Sequence, residues 1–430
     1  MKYVEVILPL PLEGTFTYGV PDTLLEKVVP GVRLLVPFGK IKTYISICNA
    51  APTDQPCKGN ADGVVEYKSI LSVLDDTPVL LPQQLRLWQW IADYYMSPLG
   101  DVYKAALPSG LKAEDAYKPR TEVYVCLGKQ FRGERELHIA LGSLARAAKQ
   151  HNVLTTYLQL SGIADAPELA TIDARQSTDN SYCKLKTVSQ EELINESHCT
   201  AAVLRGLIEK GILQTYRKEV GRLNNSYGEV QPNAIHPLNE AQSTAYDKLL
   251  LQMMSHNVTI LHGVTSSGKT EIYIHLILKA LQERKQVLYL LPEIALTVQM
   301  TDRLRRVFGN KLGIYHSRYN DDERVEIWKK QLSSTPYDVV LGARSAVFLP
   351  FQRLGLVIVD EEHETSFKQQ DPAPRYHARS AAIVLAQMYG AKTLLGTATP
   401  SAESYRNAQL GKYWLVTLSQ RYKDIQLPAI

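Results

Sequence analysis

The segment Gly263-Val-Thr-Ser-Ser-Gly-Lys-Thr270 has few structural homes, because its flanks fix what it can be. Val258-Thr-Ile-Leu-His262 before it is apolar and β-branched, the pattern of a buried strand. Residues 271–284 after it carry a helical pattern. A glycine-flanked loop between a strand and a helix start is the context in which G-x-x-x-x-G-K-[ST], the Walker A pattern, binds phosphate. Gly263 and Gly268 allow backbone angles that turn successive N–H groups toward an anion, and the helix start adds a favourable dipole. Lys269 is placed for the β- and γ-phosphates, and Thr270 for a magnesium ion. ATP contact is therefore expected from Gly263, Val264, Thr265, Ser266, Ser267, Gly268, Lys269, Thr270 and Glu271. Without those flanks the same letters would be a Gly/Ser-rich turn.

Three further segments follow in order: Gly342-Ala-Arg-Ser345, Asp360-Glu-Glu-His363 and Gly396-Thr-Ala-Thr-Pro-Ser401. Leu354-Gly-Leu-Val-Ile-Val-Asp360 reads as a buried strand ending in a carboxylate. In parallel α/β sheets ligands gather at the carboxyl ends of strands, which puts Asp360 where it can hold Mg²⁺. Glu361 beside it is the candidate to orient and deprotonate an attacking water, so Lys269, Asp360 and Glu361 form the expected catalytic set. Alone, this run would read equally as a solvated acidic turn. Thr397 and Thr399, at the end of a strand over 391–396, suit a sensor between nucleotide and polynucleotide, with Glu362 and His363 coupling the two motifs. The strands over 286–292, 312–315 and 338–341 also end in small, hydroxyl or basic residues: Glu293 to Thr297, His316-Ser317, and Gly342 to Ser345. Such ends offer donors to a phosphodiester backbone without reading base sequence. Each could be a plain loop; their repetition on one rim carries the argument. Gln242, 27 residues before Lys269 at a helix start, stands where such motors read the adenine edge. The fold class expected is multidomain α/β, with a RecA-like P-loop NTPase lobe and parallel sheet over 238–430.

These motifs resemble the PriA family of bacterial primosomal replication-restart helicases, within superfamily 2. The residues that carry the resemblance are the Walker A loop, Leu290-Leu-Pro-Glu-Ile-Ala-Leu-Thr297, Gly342-x-Arg-Ser-Ala-x-Phe-x-Pro350 and the Asp-Glu-Glu-His box. Ser366-Phe-Lys-Gln-Gln370 and Arg375-Tyr-His-Ala-Arg379 look like the aromatic-rich loop by which the family couples DNA contact to ATP hydrolysis. By their own chemistry, Phe367, Tyr376 and His377 offer stacking planes, and Lys368, Arg375 and Arg379 offer phosphate partners. With Arg344, His363, Thr397 and Thr399 they make up the expected coupling set. The resemblance extends to Leu8-Pro-Leu-Pro11, Thr15-Phe-Thr-Tyr18 and Val36-Pro-Phe-Gly-Lys40, similar to the family domain that grips the 3′ end of a nascent strand. It places Phe16, Thr17, Gly39 and Lys68 at the pocket for that end. Thr17 departs from the family pattern, where Asp is typical; its hydroxyl keeps one hydrogen bond and lacks the charge. The bland reading of Phe16 and Tyr18 is that they are ordinary barrel residues.

The expected domains are a small β-barrel-like DNA-end-binding domain over 1–108, a winged-helix domain over 109–222, a linker over 223–237, and the lobe. Within the first, 82–96 reads as helix, with Leu85, Trp88, Ile91 and Ala92 on one face and Trp88 and Trp90 as core and flank. Within the second, helices are expected over 135–150 and 201–210, the latter ending at Gly211 before a wing-like strand. Lys210, Arg217, Lys218 and Arg222 read either as a duplex-phosphate patch or as a solvated charged face. Residues 161–192 are polar and irregular and read as loops. Net charge is only +4, a weak hint of a polyanionic partner. The five cysteines include no Cys-x-x-Cys pair, which suggests a reducing cytoplasm and no zinc site in these residues. Nothing resembles a signal peptide or a membrane span.

The resemblance implies an ATP- and Mg²⁺-dependent 3′→5′ DNA helicase that acts on stalled or branched forks. Its implied partners are fork and single-stranded DNA, single-strand binding protein and other primosome proteins. The family continues with a zinc module and a second lobe, so the sequence reads as truncated, with zinc expected only in the further part and hydrolysis expected to be slow. Two other readings stay open: another superfamily 2 translocase, such as that of a restriction enzyme, and a non-catalytic fork-binding module with a dormant nucleotide site.

Overall fold

The structure, a computed structural model, describes residues 2–56, 67–113, 117, 119–163, 186–219, 234–316 and 319–420. Ser317, Arg222, Cys57, Cys183, most of the 161–192 stretch, most of the linker and residues 421–430 lie outside the described residues. The chain forms two compact units, one of Met1–Lys118 with Leu223–Ile430 and one of Pro119–Arg222.

The first unit opens with an antiparallel sheet in the order β2-β1-β4-β3-β5. Its strands are β1 (Lys2–Ile7), β2 (Phe16–Val20), β3 (Arg33–Phe38), β4 (Lys42–Cys48) and β5 (Ser72–Val73). Alternation sends Val4, Val6, Tyr18, Val20, Leu34 and Val36 into one apolar core. The residues leading into β5 close the sheet on itself: the Gly19 N–H donates to the Lys68 carbonyl at 2.9 Å, and the Ile70 N–H to the Gly19 carbonyl at 3.0 Å. That closure is the expected barrel. It leaves β2 no open edge along Gly19.

Two helices follow, α1 (Pro82–Tyr94) and α2 (Leu99–Ala106). Pro82 suits the first turn of α1, where its missing N–H costs nothing, and Gln84 reaches back to accept from the Leu81 N–H at 2.8 Å. Trp88, Ile91, Val102 and Tyr103 are buried and share a core with Val325, Trp328, Phe348 and Leu385 of the later part of the chain. Polar contacts pin this junction. The amide of Gln84, itself buried, donates to the Phe348 carbonyl, and the Trp328 indole donates to the Val79 carbonyl at 2.8 Å.

The second unit contains β6 (Thr121–Leu127), α3 (Glu134–Ser143), α4 (Ala148–Ser161), β7 (Val188–Ser189), α5 (Gln190–Ser197), α6 (Ala201–Glu209) and β8 (Leu213–Glu219). The sheet order is β7-β6-β8, and the helices pack their apolar faces on it as a winged helix. The single helix expected over 135–150 is two helices. Gly142 and Ser143 are weak helix formers, and the turn between them and Ala148 buries Leu144.

The rest of the first unit is α7 (Glu240–Ser255), β9 (Val258–Gly263), α8 (Lys269–Gln282), β10 (Gln286–Leu290), α9 (Val298–Phe308), β11 (Leu312–Tyr315), α10 (Asp321–Leu332), β12 (Val339–Gly342), β13 (Leu354–Asp360), α11 (Ala378–Tyr389), β14 (Lys392–Thr397), α12 (Ala402–Gln409) and β15 (Trp414–Leu418). The seven strands are all parallel, in the order β11-β12-β10-β13-β14-β9-β15. Strand β10 is buried along its whole length, as a central parallel strand covered on both faces should be. This is a RecA-like lobe. Among the described residues no helix is long and apolar enough to cross a membrane.

Candidate nucleotide and nucleic-acid site

Strand order brings the motifs together. β14 lies between β13 and β9, with Asp360 beside Gly396 and Thr397 beside His262. The ends of these three strands therefore form one rim. The phosphate loop runs from Gly263 into α8. Ser266 and Gly268 take left-handed backbone angles, with φ of 63° and 78°. A Cβ on Gly263 would come within 2.8 Å of Ser267 Oγ and 3.0 Å of Lys269 Cγ, so the loop's close approach needs glycine there. Ser267 Oγ is buried with no hydrogen-bond partner. A tight turn of backbone amides, an unpaired buried hydroxyl and a lysine fit a triphosphate.

Lys269 Nζ donates to the Gly263 carbonyl at 3.0 Å and lies 3.9 Å from Glu361 Oε1. Glu361 has a φ of 48°, a strained conformation for a non-glycine residue and one that accumulates at working sites. Its other oxygen lies 3.8 Å from His363 Nδ1, which in turn lies 2.8 Å from Thr397 Oγ1. The Thr399 N–H also reaches Thr397 Oγ1, at 3.0 Å. A polar chain thus joins the loop lysine, the acidic box and the following motif.

Asp360 is buried. Its carboxylate accepts from Tyr273 at 2.9 Å, from Tyr289 at 3.2 Å and from the Glu361 N–H at 3.1 Å. Burial, then the Glu361 charge, pushes its carboxyl up to about 6, against the Tyr273 hydrogen bond and Lys269. Burial and the Asp360 charge push both phenols well above their ordinary value, so they stay protonated and donate. Neither tyrosine is singled out by the sequence. Each sits in an apolar pattern that reads as plain core.

Several expected roles change. The Gln242 amide is buried and donates to the Ser267 and Gly268 carbonyls at 3.2 and 3.4 Å, while its oxygen caps α7. It braces the phosphate loop rather than facing an open base pocket. Glu271 is held by Arg303 at 2.9 Å and lies 3.5 Å from His236. Phe367 and Tyr376 are each 1% exposed, so neither ring presents a face to a base. Arg379 is paired with the fully buried Glu362 at 2.5 Å and with Ser401 at 2.6 Å, so it ties motifs together instead of awaiting phosphate. Lys368 and Arg375 stay at the surface side of a small hairpin, in which Lys368 pairs with His377 and Arg344 donates to the Ser366 and Lys368 carbonyls.

At the other candidate site, Gly39 has a φ of 63° with open space where a Cβ would stand, and Lys68 Nζ donates to its carbonyl. Phe16 packs edge-on against Phe38 at 6.0 Å, next to Gly39. Thr17 follows Phe16 on β2 and pairs across the sheet with Glu5.

Residues 5–108 match the 3′ DNA-binding domain (3′BD) described for PriA, 122–220 the winged helix domain of PriA helicase from Bacteroidota, and 239–408 the DEAD/DEAH box helicase domain. The replication restart protein PriA of Bacillus subtilis is 30% identical over 478 aligned positions, covering 100% of this chain and 57% of the relative. That of Haemophilus influenzae is 35% identical, covering 98% of this chain and 52% of the relative. The chain thus spans about half the length of these relatives. Matched along its whole length by three successive domains and by these relatives, the chain belongs to the PriA family of replication restart proteins.

Proposed function

We propose that this chain is the fork-recognising and nucleotide-binding part of an ATP-dependent 3′→5′ DNA helicase that starts primosome assembly at stalled or branched forks in the cytoplasm. The observation that carries the reading is the convergence of Lys269, Asp360, Glu361, His363 and Thr397 on one rim of a parallel sheet. Residues 263–271 bind ATP, with Gln242 bracing their loop. Thr270 and Asp360 would hold Mg²⁺, which when bound neutralises phosphate charge. Lys269 steadies the terminal phosphates, and Glu361 takes the proton of the attacking water. His363 and Thr397 relay the state of that site toward the coupling loop, where Lys368 and Arg375 meet DNA.

Residues 1–108 take the nascent 3′ end at Phe16, Thr17, Gly39 and Lys68. Residues 109–222 lie along duplex, and 238–430 form the first motor lobe after a linker over 223–237. Single-strand binding protein and further primosome proteins are the partners this reading implies. The 430 residues alone bind nucleotide weakly and hydrolyse it slowly, because closure on the nucleotide in this superfamily uses a second lobe.

Lys269→Ala tests the division of labour. It should abolish nucleotide binding and leave fork affinity intact. A fork affinity lowered by more than about 1.4 kcal/mol, tenfold, would refute the division. Forks ending in a 3′-hydroxyl should bind more tightly than forks ending in a 3′-phosphate; equal affinity would remove end capture from the first domain.

A further inference from the structure

The turn between β3 and β4 exposes an unusual side chain. Phe38 and Lys42 are the last paired residues of the two strands, so Gly39, Lys40 and Ile41 make the turn. Turns favour glycine and small polar residues. Ile41 is instead 94% exposed, between Lys40 and Lys42, which are exposed as well. A lone apolar side chain on a protein surface is ordinary. The surroundings of this one are not. From Leu34 to Ser46 the chain carries no carboxylate. The Gly39 carbonyl accepts from Lys68 Nζ, which brings a third cation to the root of the turn. Behind the tip the hairpin is stiffened. Phe38 packs edge-on against Phe16 at 6.0 Å and against Tyr44 at 5.7 Å, and the Tyr18 hydroxyl donates to the Pro37 carbonyl at 2.9 Å. An apolar tip on a rigid, cationic support has the form of the wedges that proteins press into a base stack.

We propose that Ile41 is a duplex end cap: it covers the face of the last base pair laid bare when the nascent 3′ nucleotide enters the neighbouring pocket, while Lys40 and Lys42 take the phosphates on either side. This rests on the reading of residues 1–108 as the holder of that end. A nucleotide drawn toward Phe16, Thr17, Gly39 and Lys68 leaves the stack, so the pair behind it loses one stacking neighbour. The bared base face is apolar, and an aliphatic side chain laid on it takes both surfaces out of water. Ile41 follows Gly39 by two residues, a reach of at most about 7 Å, or about two steps of a DNA strand at 3.4 Å each. Cap and pocket therefore serve adjacent nucleotides. The β-branched side chain is stiff at χ1 and loses little freedom on contact. It has no hydrogen-bonding group, so it accepts any base pair. Cations on both flanks match a duplex end, where each strand brings a phosphate to one side of the last pair.

The test uses the 430-residue chain and two DNA ligands: a fork whose nascent strand is paired up to its 3′-hydroxyl end, and single-stranded oligo-dT with a 3′-hydroxyl. Ile41→Ser should weaken binding of the paired fork roughly fivefold, the scale of uncovering about half an isoleucine side chain, and leave oligo-dT affinity unchanged. Ile41→Phe, with a larger apolar face, should bind the paired fork at least as tightly as wild type. Lys40→Ala and Lys42→Ala should each reduce the slope of log fork affinity against log salt by about 0.9. Ile41 is exposed, so its replacement removes no core, and equal thermal unfolding midpoints check this. Ile41→Ser at wild-type affinity for the paired fork, or with equal losses on both ligands, would overturn the cap. So would a loss of self-association at unchanged fork affinity, the mark of a protein contact. A wild type that still prefers a 3′-hydroxyl to a 3′-phosphate keeps the end-holding reading standing in those cases. A wild type indifferent to the 3′ group removes both.

Discussion

Tyr273 donates its phenolic hydrogen to Oδ1 of Asp360 at 2.9 Å, which ties the helix after the phosphate loop to the acidic box. Tyr289 holds the other oxygen at 3.2 Å. A carboxylate clamped this way has one orientation toward the rim. Tyr273→Phe and Tyr289→Phe remove one restraint each, a change of about 1 kcal/mol. We expect each to weaken binding of a fluorescent ADP analogue about fivefold in the presence of Mg²⁺ and to leave binding in EDTA unchanged. Equal losses in both conditions would show that the tyrosines serve the loop and not the carboxylate.

Gly396 is the counterpart of that clamp. A Cβ there would fall 1.7 Å from the Tyr273 hydroxyl, 2.8 Å from its ring and 3.0 Å from Asp360 Oδ1. The ring is fully buried and cannot swing away. Gly396→Ala should therefore cost about 1–3 kcal/mol, the range for overpacking a tight core, seen as a lower urea midpoint. It should also depress Mg²⁺-dependent nucleotide binding more than either phenylalanine variant does, because it displaces the carboxylate as well as its donor.

The lobe and the phosphate loop were legible because their signals are local. Val258 to His262 is a strand by pattern, and Gly263 to Thr270 carries its own geometry. Asp360 could be placed from the strand it ends. Its tyrosine clamp could not, because Tyr273 and Tyr289 are distant in sequence and an apolar period cannot tell a packed ring from a donating hydroxyl. The same blindness explains the coupling loop. Phe367, Tyr376 and Arg379 have the composition of a nucleic-acid surface, but composition does not say which side chains the fold turns inward. The junction that buries Trp88 and Gln84 against the lobe joins residues more than 200 apart, beyond any pattern window.

Glu362 and Arg379 make the sharpest contrast with that surface reading. Glu362 is fully buried and accepts from Arg379 at 2.5 Å, the Ser401 N–H at 2.7 Å and the Ser404 hydroxyl at 2.9 Å. Glu362→Gln removes the buried partner of the guanidinium and leaves it only the exposed Glu403, 3.9 Å away, and breaking such a buried pair costs on the order of 3 kcal/mol. Arg379→Lys should also destabilise, since an ammonium cannot reproduce the planar fork across Glu362 and Ser401. The salt dependence of single-strand binding separates the roles. Arg375→Ala should reduce the slope of log affinity against log salt by about 0.7, whereas folded Arg379→Lys should leave it unchanged.

His377 gives the junction a pH dependence. Burial, then the nearby Arg379 and Lys368 charges, pushes its imidazole down to about 4, against Glu362 and Glu403. Its Nδ1 is buried without a partner. In the unfolded chain the ring titrates near 6.5. Between about 4 and 6.5 the unfolded state holds the proton and the folded state does not, so stability rises with pH across that window and is lost as pH falls through it. Because the ring is only half-buried, solvent screening limits the effect to on the order of 1–2 kcal/mol. His377→Asn removes the titration but keeps the backbone N–H that Tyr95 accepts. Urea unfolding of both proteins from pH 7 to pH 4.5 should show the wild type losing that much stability relative to the variant. A constant difference across the window would mean that the imidazole takes up its proton in the folded chain as readily as in the unfolded one, and that its burial and its neighbours Arg379 and Lys368 do not act on it as the structure places them.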